Sequence, residues 1–365
     1  MVPAVGNIRS AASWRSGARF LSLVVAFVAG FALVAAGFRY VCLLAGLTDS
    51  TIAATKLRQA VDQRPDVIFV GPSHIATSII PEVFDAEFSK YQKVHSYNFA
   101  LGGADVPEIE FVLDKLFATG PCCIKYVVIF PEFGLTNLAK YPDAIRAIDY
   151  FDVVNAFRYW SFLRAFDPNV PPQIDLVEYA RNIAFATLRH YSNIGLGLSL
   201  LGIPKHELEP PNSPEFRWSA RGHLENERVA PEAEWHKHLD EYTSQSPGYR
   251  DQAIPDELFS SVTSIIDLVE RHGARAIMVR PPSIWMWHFD LSLVRKFREK
   301  CPAGPPLLDF GDPAAYPELY ERRNHIDDAH LNTRGAAIWS RILADQIGEL
   351  VRSGRLDRPA TCGDG

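Results

Sequence analysis

The stretch "DVIFVGPSH", Asp66 to His74, decides the fold. Branched and aromatic residues run from Val67 to Val70 and stop at Gly71 and Pro72. A short unbroken apolar run closed by glycine reads as a buried strand. The same rhythm spreads outward from it. "PEVFDAEFSKY" follows as a helix with Pro81 in its first turn. "KVHSYNFAL" reads as the next strand, closing at Gly102 and Gly103. "VPEIEFVLDKLFATG" is a helix stopped by Gly120, and "IKYVVIFPEF" is a third strand. Strands alternating with helices at this spacing predict a parallel sheet with right-handed crossovers.

The rhythm breaks over about 141–255, where aromatics, helical patches and the proline-rich "GIPKHELEPPNSPEFRW" predict an insertion of helices and loops without a core of its own. It then resumes. "SSVTSIIDLVERHGA" is a helix, "RAIMVRPP" a strand, "LSLVRKFREKC" a helix and "PLLDFG" the last strand. "HLNTRGAAIWSRILADQIGELVRSG" is a long terminal helix starting near Asn332. The fold class expected is α/β, a three-layer sandwich around a mostly parallel central sheet.

Composition narrows the function. The chain has 365 residues, 47% hydrophobic and 22% charged, with a net charge of −6. No basic field exists, which argues against nucleic acid as a partner. "FLSLVVAFVAGFALVAAGF", Phe20 to Phe38, carries no charge, and about 20 such residues span a bilayer. Arg9, Arg15 and Arg19 precede it, so the positive-inside rule puts the N-terminus in the cytoplasm and the rest outside. A cleaved signal peptide is the rival reading, with "LVAAGF" offering small residues. The expected organisation is a cytoplasmic segment 1–19, a transmembrane anchor 20–42, a linker helix 43–63, an α/β domain 64–352 and a flexible tail 353–365. The five cysteines match no zinc spacing. Outside the membrane a disulfide is allowed, and Cys301 with Cys122 or Cys123 is one option, buried thiols the other.

Three segments can carry chemistry. Ser73 follows the first strand, where reactive groups of open α/β sheets gather; taken alone it reads equally as a turn serine or a helix cap. "NHIDDAHLNTRGA" sets Asp327 three residues before His330, close enough for the carboxylate to orient the imidazole. Asp328 is the alternative partner, and His325 beside them raises a metal site that no specific spacing supports. "YNFALGGADVPE" offers the N–H of Gly103 as an oxyanion donor beside that of Ser73. His236 and His238 in "EWHKHL" read as a solvated surface, the aromatic "IWMWHF" as a groove lining or core, and Glu132 as a loop carboxylate.

The order "DVIFVGPSH", "YNFALGGADVPE", "VVIFPEF" and "DDAHLNTRGAAIWS" resembles the SGNH or GDSL hydrolase superfamily. It is most similar to the membrane-anchored bacterial branch that acylates surface polysaccharides and carries D-alanine to teichoic acid. The resemblance implies a flavodoxin-like sheet, Ser73 as nucleophile, His330 as base, Asp327 as its orienter, and the Ser73 and Gly103 N–H groups as the oxyanion site. No cofactor or metal is implied. It implies O-acyl transfer or removal, acetyl first, on an extracytoplasmic glycan, from a bacterial inner membrane with the domain in the periplasm. A multi-span membrane O-acyltransferase is the implied partner. A non-catalytic scaffold or glycan-binding subunit, and a lipase or thioesterase, are the alternatives. The chain departs from the family at "FPEFGLTN": Pro131 and Glu132 stand where an oxyanion asparagine is usual, and Asn137 reads as too far along.

Overall fold

The computed structural model describes residues 9–44, 52–120, 123–132, 137–165, 175–192, 217–244, 254–284 and 290–360. The α/β rhythm resolves into five strands, β1 Val67–Val70, β2 Ser96–Asn98, β3 Tyr126–Ile129, β6 Arg275–Arg280 and β7 Leu307–Asp309. They lie in the order β2-β1-β3-β6-β7, all parallel. From β1 the chain moves outward to β2, then returns to lay β3 on the other flank of β1. The order therefore reverses between β1 and β3, the kind of switch point where open α/β sheets place their ligands, beyond the carboxyl ends of the strands. β2 is shorter than its apolar run predicts. Phe99 still donates to the Phe69 carbonyl and Leu101 to that of Gly71, but the chain then turns away through Gly102 and Gly103.

Strand side chains alternate between two cores, as a period of two requires. Ile68, Val70, Val127 and Ile129 join the cluster that includes α5 Val106–Thr119 and α11 Asp256–Arg271. Val67, Phe69 and Val128 join the opposite one with α3 Ser73–Ser78, α4 Pro81–Phe88 and α13 Thr333–Arg352. α5 starts where the Asp105 carboxylate accepts the Glu108 N–H and ends at Gly120 in the left-handed region. α13 starts at Asn332, whose side chain accepts the Gly335 N–H. α12 Asp290–Lys300 precedes Cys301, which is in a disulfide that does not include Cys123. The chain expected as a tail from 353 folds back instead: Leu356 is buried and its carbonyl accepts from Arg275 Nε.

The inserted segment builds onto the main cores. α6 Asn137–Lys140, α7 Ile145–Tyr150, α8 Val153–Arg164 and α9 Leu176–Ser192 contribute Ala147, Tyr150, Tyr159 and Ile183 to the first cluster. The two-residue strands β4 Arg217–Trp218 and β5 Leu224–Glu225 pair antiparallel, and α10 Glu232–Ser244 follows them with Trp235 in the second cluster. Lys56, from α2 Ile52–Gln63, is buried beneath this hairpin. Its ammonium donates to the carbonyls of Asn98, Ala100 and Gly222 and lies 4.3 Å from the Trp218 ring centre. A buried ammonium persists only with its donors used. Lys56 thereby fastens α2, the sheet edge and the insertion to one another.

The apolar run of the N-terminus lies within a 36-residue helix, α1 Arg9–Leu44, whose Phe20, Leu23, Phe27 and Leu33 are exposed. Among the described residues no helix is long and apolar enough to cross a membrane; positions 32 and 36, inside the uncharged run, have side chains outside that set. The aromatic "IWMWHF" segment beyond Ile284 also lies outside the described residues.

Candidate active site

Ser73 is the first residue of α3, immediately after β1 and the Gly71–Pro72 turn. At that position a helix offers an N–H with no intrahelical acceptor. Asn98, the last residue of β2, holds α3 in place: its Nδ2 donates to the Ile75 and Ile79 carbonyls at 2.9 and 3.0 Å, and its Oδ1 accepts from Ala100 N. A buried asparagine inside the apolar "YNFAL" was the available signal for this role.

His330 reaches Ser73 from the other end of the chain. Its Nε2 lies 2.8 Å from Ser73 Oγ, and its Nδ1 lies 3.0 Å from both Asp327 oxygens. The D-x-x-H spacing closes a turn rather than a helical face. Asp327 Oδ1 accepts the backbone N–H groups of Ala329 and His330, each at 2.8 Å. Burial raises the Asp327 carboxyl, but the His330 hydrogen bond, its charge and those two N–H groups outweigh burial and hold it well below the ordinary range. An ionised Asp327 fixes the tautomer: Nδ1–H donates to Asp327 and Nε2 accepts from the serine hydroxyl.

The loop that carries His330 is tied on both flanks. Asn332 Nδ2 donates to the carbonyls of Arg228 and Arg323, Ala230 N to that of His325, and Thr333 N to that of Asn226. Gly335 follows because a Cβ there would fall 2.2 Å from the Asn324 carbonyl oxygen. Asp328 turns away and pairs with His238 at 2.8 Å, so helix α10 touches the rim of the site where "EWHKHL" read as free surface. His325 is buried against Trp235, with Nε2 2.6 Å from the Leu319 carbonyl, and burial lowers its pKa to about 4. His325, Asp327, Asp328 and His330 thus face different partners. Among the described residues no group of three or more metal-ligating side chains converges.

Gly103 lies past β2, two residues after Leu101, whose N–H donates to the Gly71 carbonyl before Ser73, and has φ +64. Its carbonyl accepts from Asn137 Nδ2 at 3.0 Å, and a Cβ at this position would lie 2.2 Å from that nitrogen. Asn137, the first residue of α6, thus touches Gly103 from 34 residues further along the chain. Among the described residues its second amide N–H has no protein acceptor. Arg146 from α7 donates to the Gly102 carbonyl at 2.7 Å while pairing with Glu108 through two further bonds. In a trans peptide the carbonyl and the following N–H point opposite ways. Holding the Gly102 carbonyl back in the protein therefore sets the direction of the Gly103 N–H. Among the described residues neither Ser73 N nor Gly103 N donates to a protein group.

Two residues that sequence reading did not join lie under the His330 ring. His74 stacks on His330, ring centres 4.9 Å apart and planes 17° apart. Its Nδ1 lies 2.9 Å from Glu132 Oε2, and both side chains are buried. Strand register contains the signal. Val70 pairs with Ile129, so Ser73 and Glu132 each sit three residues beyond a paired strand end. No family model matches the chain, and comparison with curated proteins finds no match.

Proposed function

We propose that the protein is a membrane-anchored acyl-serine enzyme of the SGNH kind, which transfers or removes O-acyl groups on a cell-surface glycan. The observation that supports it is the continuous chain Ser73 Oγ, His330 Nε2, His330 Nδ1, Asp327, at 2.8 and 3.0 Å. Ser73 Oγ attacks the acyl carbonyl while its proton passes to His330 Nε2. The oxyanion receives the N–H groups of Ser73 and Gly103, with the second amide N–H of Asn137 beside them. His330 then gives its proton to the departing oxygen, leaving an ester on Ser73. In the second half an acceptor hydroxyl, or water, loses its proton to His330 and attacks that ester, and the proton returns to Ser73. Glycan acceptor makes a transferase; water makes an esterase.

Location follows from the uncharged Phe20–Phe38 run and the arginines before it. They support a single span in a bacterial inner membrane with the catalytic domain in the periplasm. Acetyl as the acyl group, and a multi-span O-acyltransferase that supplies it across the bilayer, rest on the family resemblance. The scaffold reading draws on a missing oxyanion asparagine; Asn137, bonded to the Gly103 carbonyl, is the residue this proposal assigns to that role, and the activity test decides between the two readings.

Full-length protein in detergent micelles, given p-nitrophenyl acetate, should accumulate an acetyl group on Ser73, visible by mass spectrometry. Ser73→Ala should lower turnover by at least about three orders of magnitude. Equal release by both proteins excludes Ser73 as nucleophile. Release that requires added glycan selects transferase over esterase, and a rate that climbs with acyl length selects lipase.

A further inference from the structure

We infer that Glu132, acting through His74, is a second positioning carboxylate for His330: it holds the base from below its ring, as Asp327 holds it from the edge. The inference rests on the acyl-serine reading of the site.

The two carboxylates approach His330 along different directions. Asp327 meets the ring in its plane at Nδ1. His74 lies parallel beneath the ring face, and Glu132 lies behind His74. His74 is itself wedged: Phe130 stands edge-on to it, centres 5.9 Å apart and planes at 89°. A stacked, hydrogen-bonded and edge-packed imidazole has little freedom, so it forms a fixed floor that stops His330 from tilting its Nε2 off Ser73. Positioning of this kind matters because small displacements of a proton acceptor are costly in rate.

Charge gives the pair a second effect. During acylation His330 becomes an imidazolium. Two cationic imidazoles in face contact repel, so the useful state of His74 is neutral, with Nδ1–H donating to an ionised Glu132. The pair then presents a net negative charge under the ring at the moment the ring turns positive. Burial strengthens that interaction, since water is excluded from both partners. The other titratable groups facing His330 are Asp327 at its edge and, more distantly, His325 and Asp328, whose own carboxylate is turned to His238. Glu132 is the carboxylate bonded to His74, on the floor side of the His330 ring.

Glu132→Gln separates charge from shape, because glutamine keeps an acceptor oxygen for His74 at nearly the same volume. The readout is labelling of Ser73 by a fluorophosphonate probe on the full-length protein, followed by mass spectrometry across pH 4–9, which needs no natural substrate. The wild-type rate should rise with pH along a limb set by deprotonation of His330. Glu132→Gln should slow the plateau by about tenfold, the scale of losing an outer carboxylate partner of a histidine. It should also move the limb to lower pH, because removing a nearby negative charge weakens the hold on the imidazolium proton. His74→Gln/Glu132→Gln, which leaves no charge buried, should show the same displacement, keeping the test decisive if the single variant does not fold. A uniform slowing with the limb unmoved in folded variants overturns the inference and leaves a structural role. Absence of Ser73 labelling in the wild-type protein overturns the acyl-serine reading, and this inference with it.

Discussion

The two flanks of Ser73 are built by opposite means. On the oxyanion side, Gly103 is set from inside the protein by the Arg146–Glu108 pair, whose side chains are 4% and 3% exposed. On the base side, His330 is set by a turn in which the Asp327 side chain is 45% exposed. One flank is a dry ionic cluster continuous with the core. The other is a surface loop latched by backbone bonds to residues 226–230. A group that need only point in one direction can be buried and locked. A group that must exchange protons with substrate and water has to meet the crevice. Stability and activity should therefore come apart between the flanks.

The largest effect should fall on the base side and spare the fold. Asp327→Asn should lower turnover by about four orders of magnitude, because the amide no longer selects the Nδ1–H tautomer. Its melting temperature should stay near that of the wild type. A large loss of stability together with activity would erase the contrast. Next comes the oxyanion side, where both should fall together. Arg146→Met leaves Glu108 buried without its cation and should destabilise by about 3–5 kcal/mol, read by denaturant unfolding. Arg146→Met/Glu108→Leu should regain most of that stability yet remain slow, since nothing then holds the Gly102 carbonyl. Recovery of the rate in the double variant would deny Arg146 its orienting role.

The smallest effect is a loss of stability on raising the pH towards 8, which the buried flank should show. Asp105 caps α5 beside this pair and receives the Tyr159 hydroxyl. Burial, and then the Glu108 charge, push its carboxyl up to about 8. A raised folded-state pKa means the folded protein holds the proton more tightly than the unfolded chain. The stabilisation is complete below about pH 4, the ordinary carboxylate range, erodes as pH rises and is gone beyond about pH 8. Melting temperature should drop on the order of a few degrees across that window, and Asp105→Asn should flatten the slope. An unchanged slope in that variant would place the titrating group elsewhere.

Legibility in sequence follows the same division. β1, β3 and β6 were readable because a buried parallel strand must be apolar on both faces, and few other structures print such a run. The Asp327–His330 pair was readable from its local spacing, and the place of Ser73 from the strand before it. The groups that support them were not. Arg146 and Glu108 look like ordinary helix charges until α7 is folded against α5. Asn137 is remote along the chain, and its contact with Gly103 exists only once α6 is folded against the end of β2. His74 and Glu132 become neighbours only once Val70 is known to pair with Ile129. Their roles reside in tertiary register, which one sequence does not print.

The three carbonyl contacts of Lys56 make α2 an integral part of the α/β domain: a cut meant to free that domain from α1 must fall before Ile52, or it leaves the Asn98, Ala100 and Gly222 carbonyls buried without their donor.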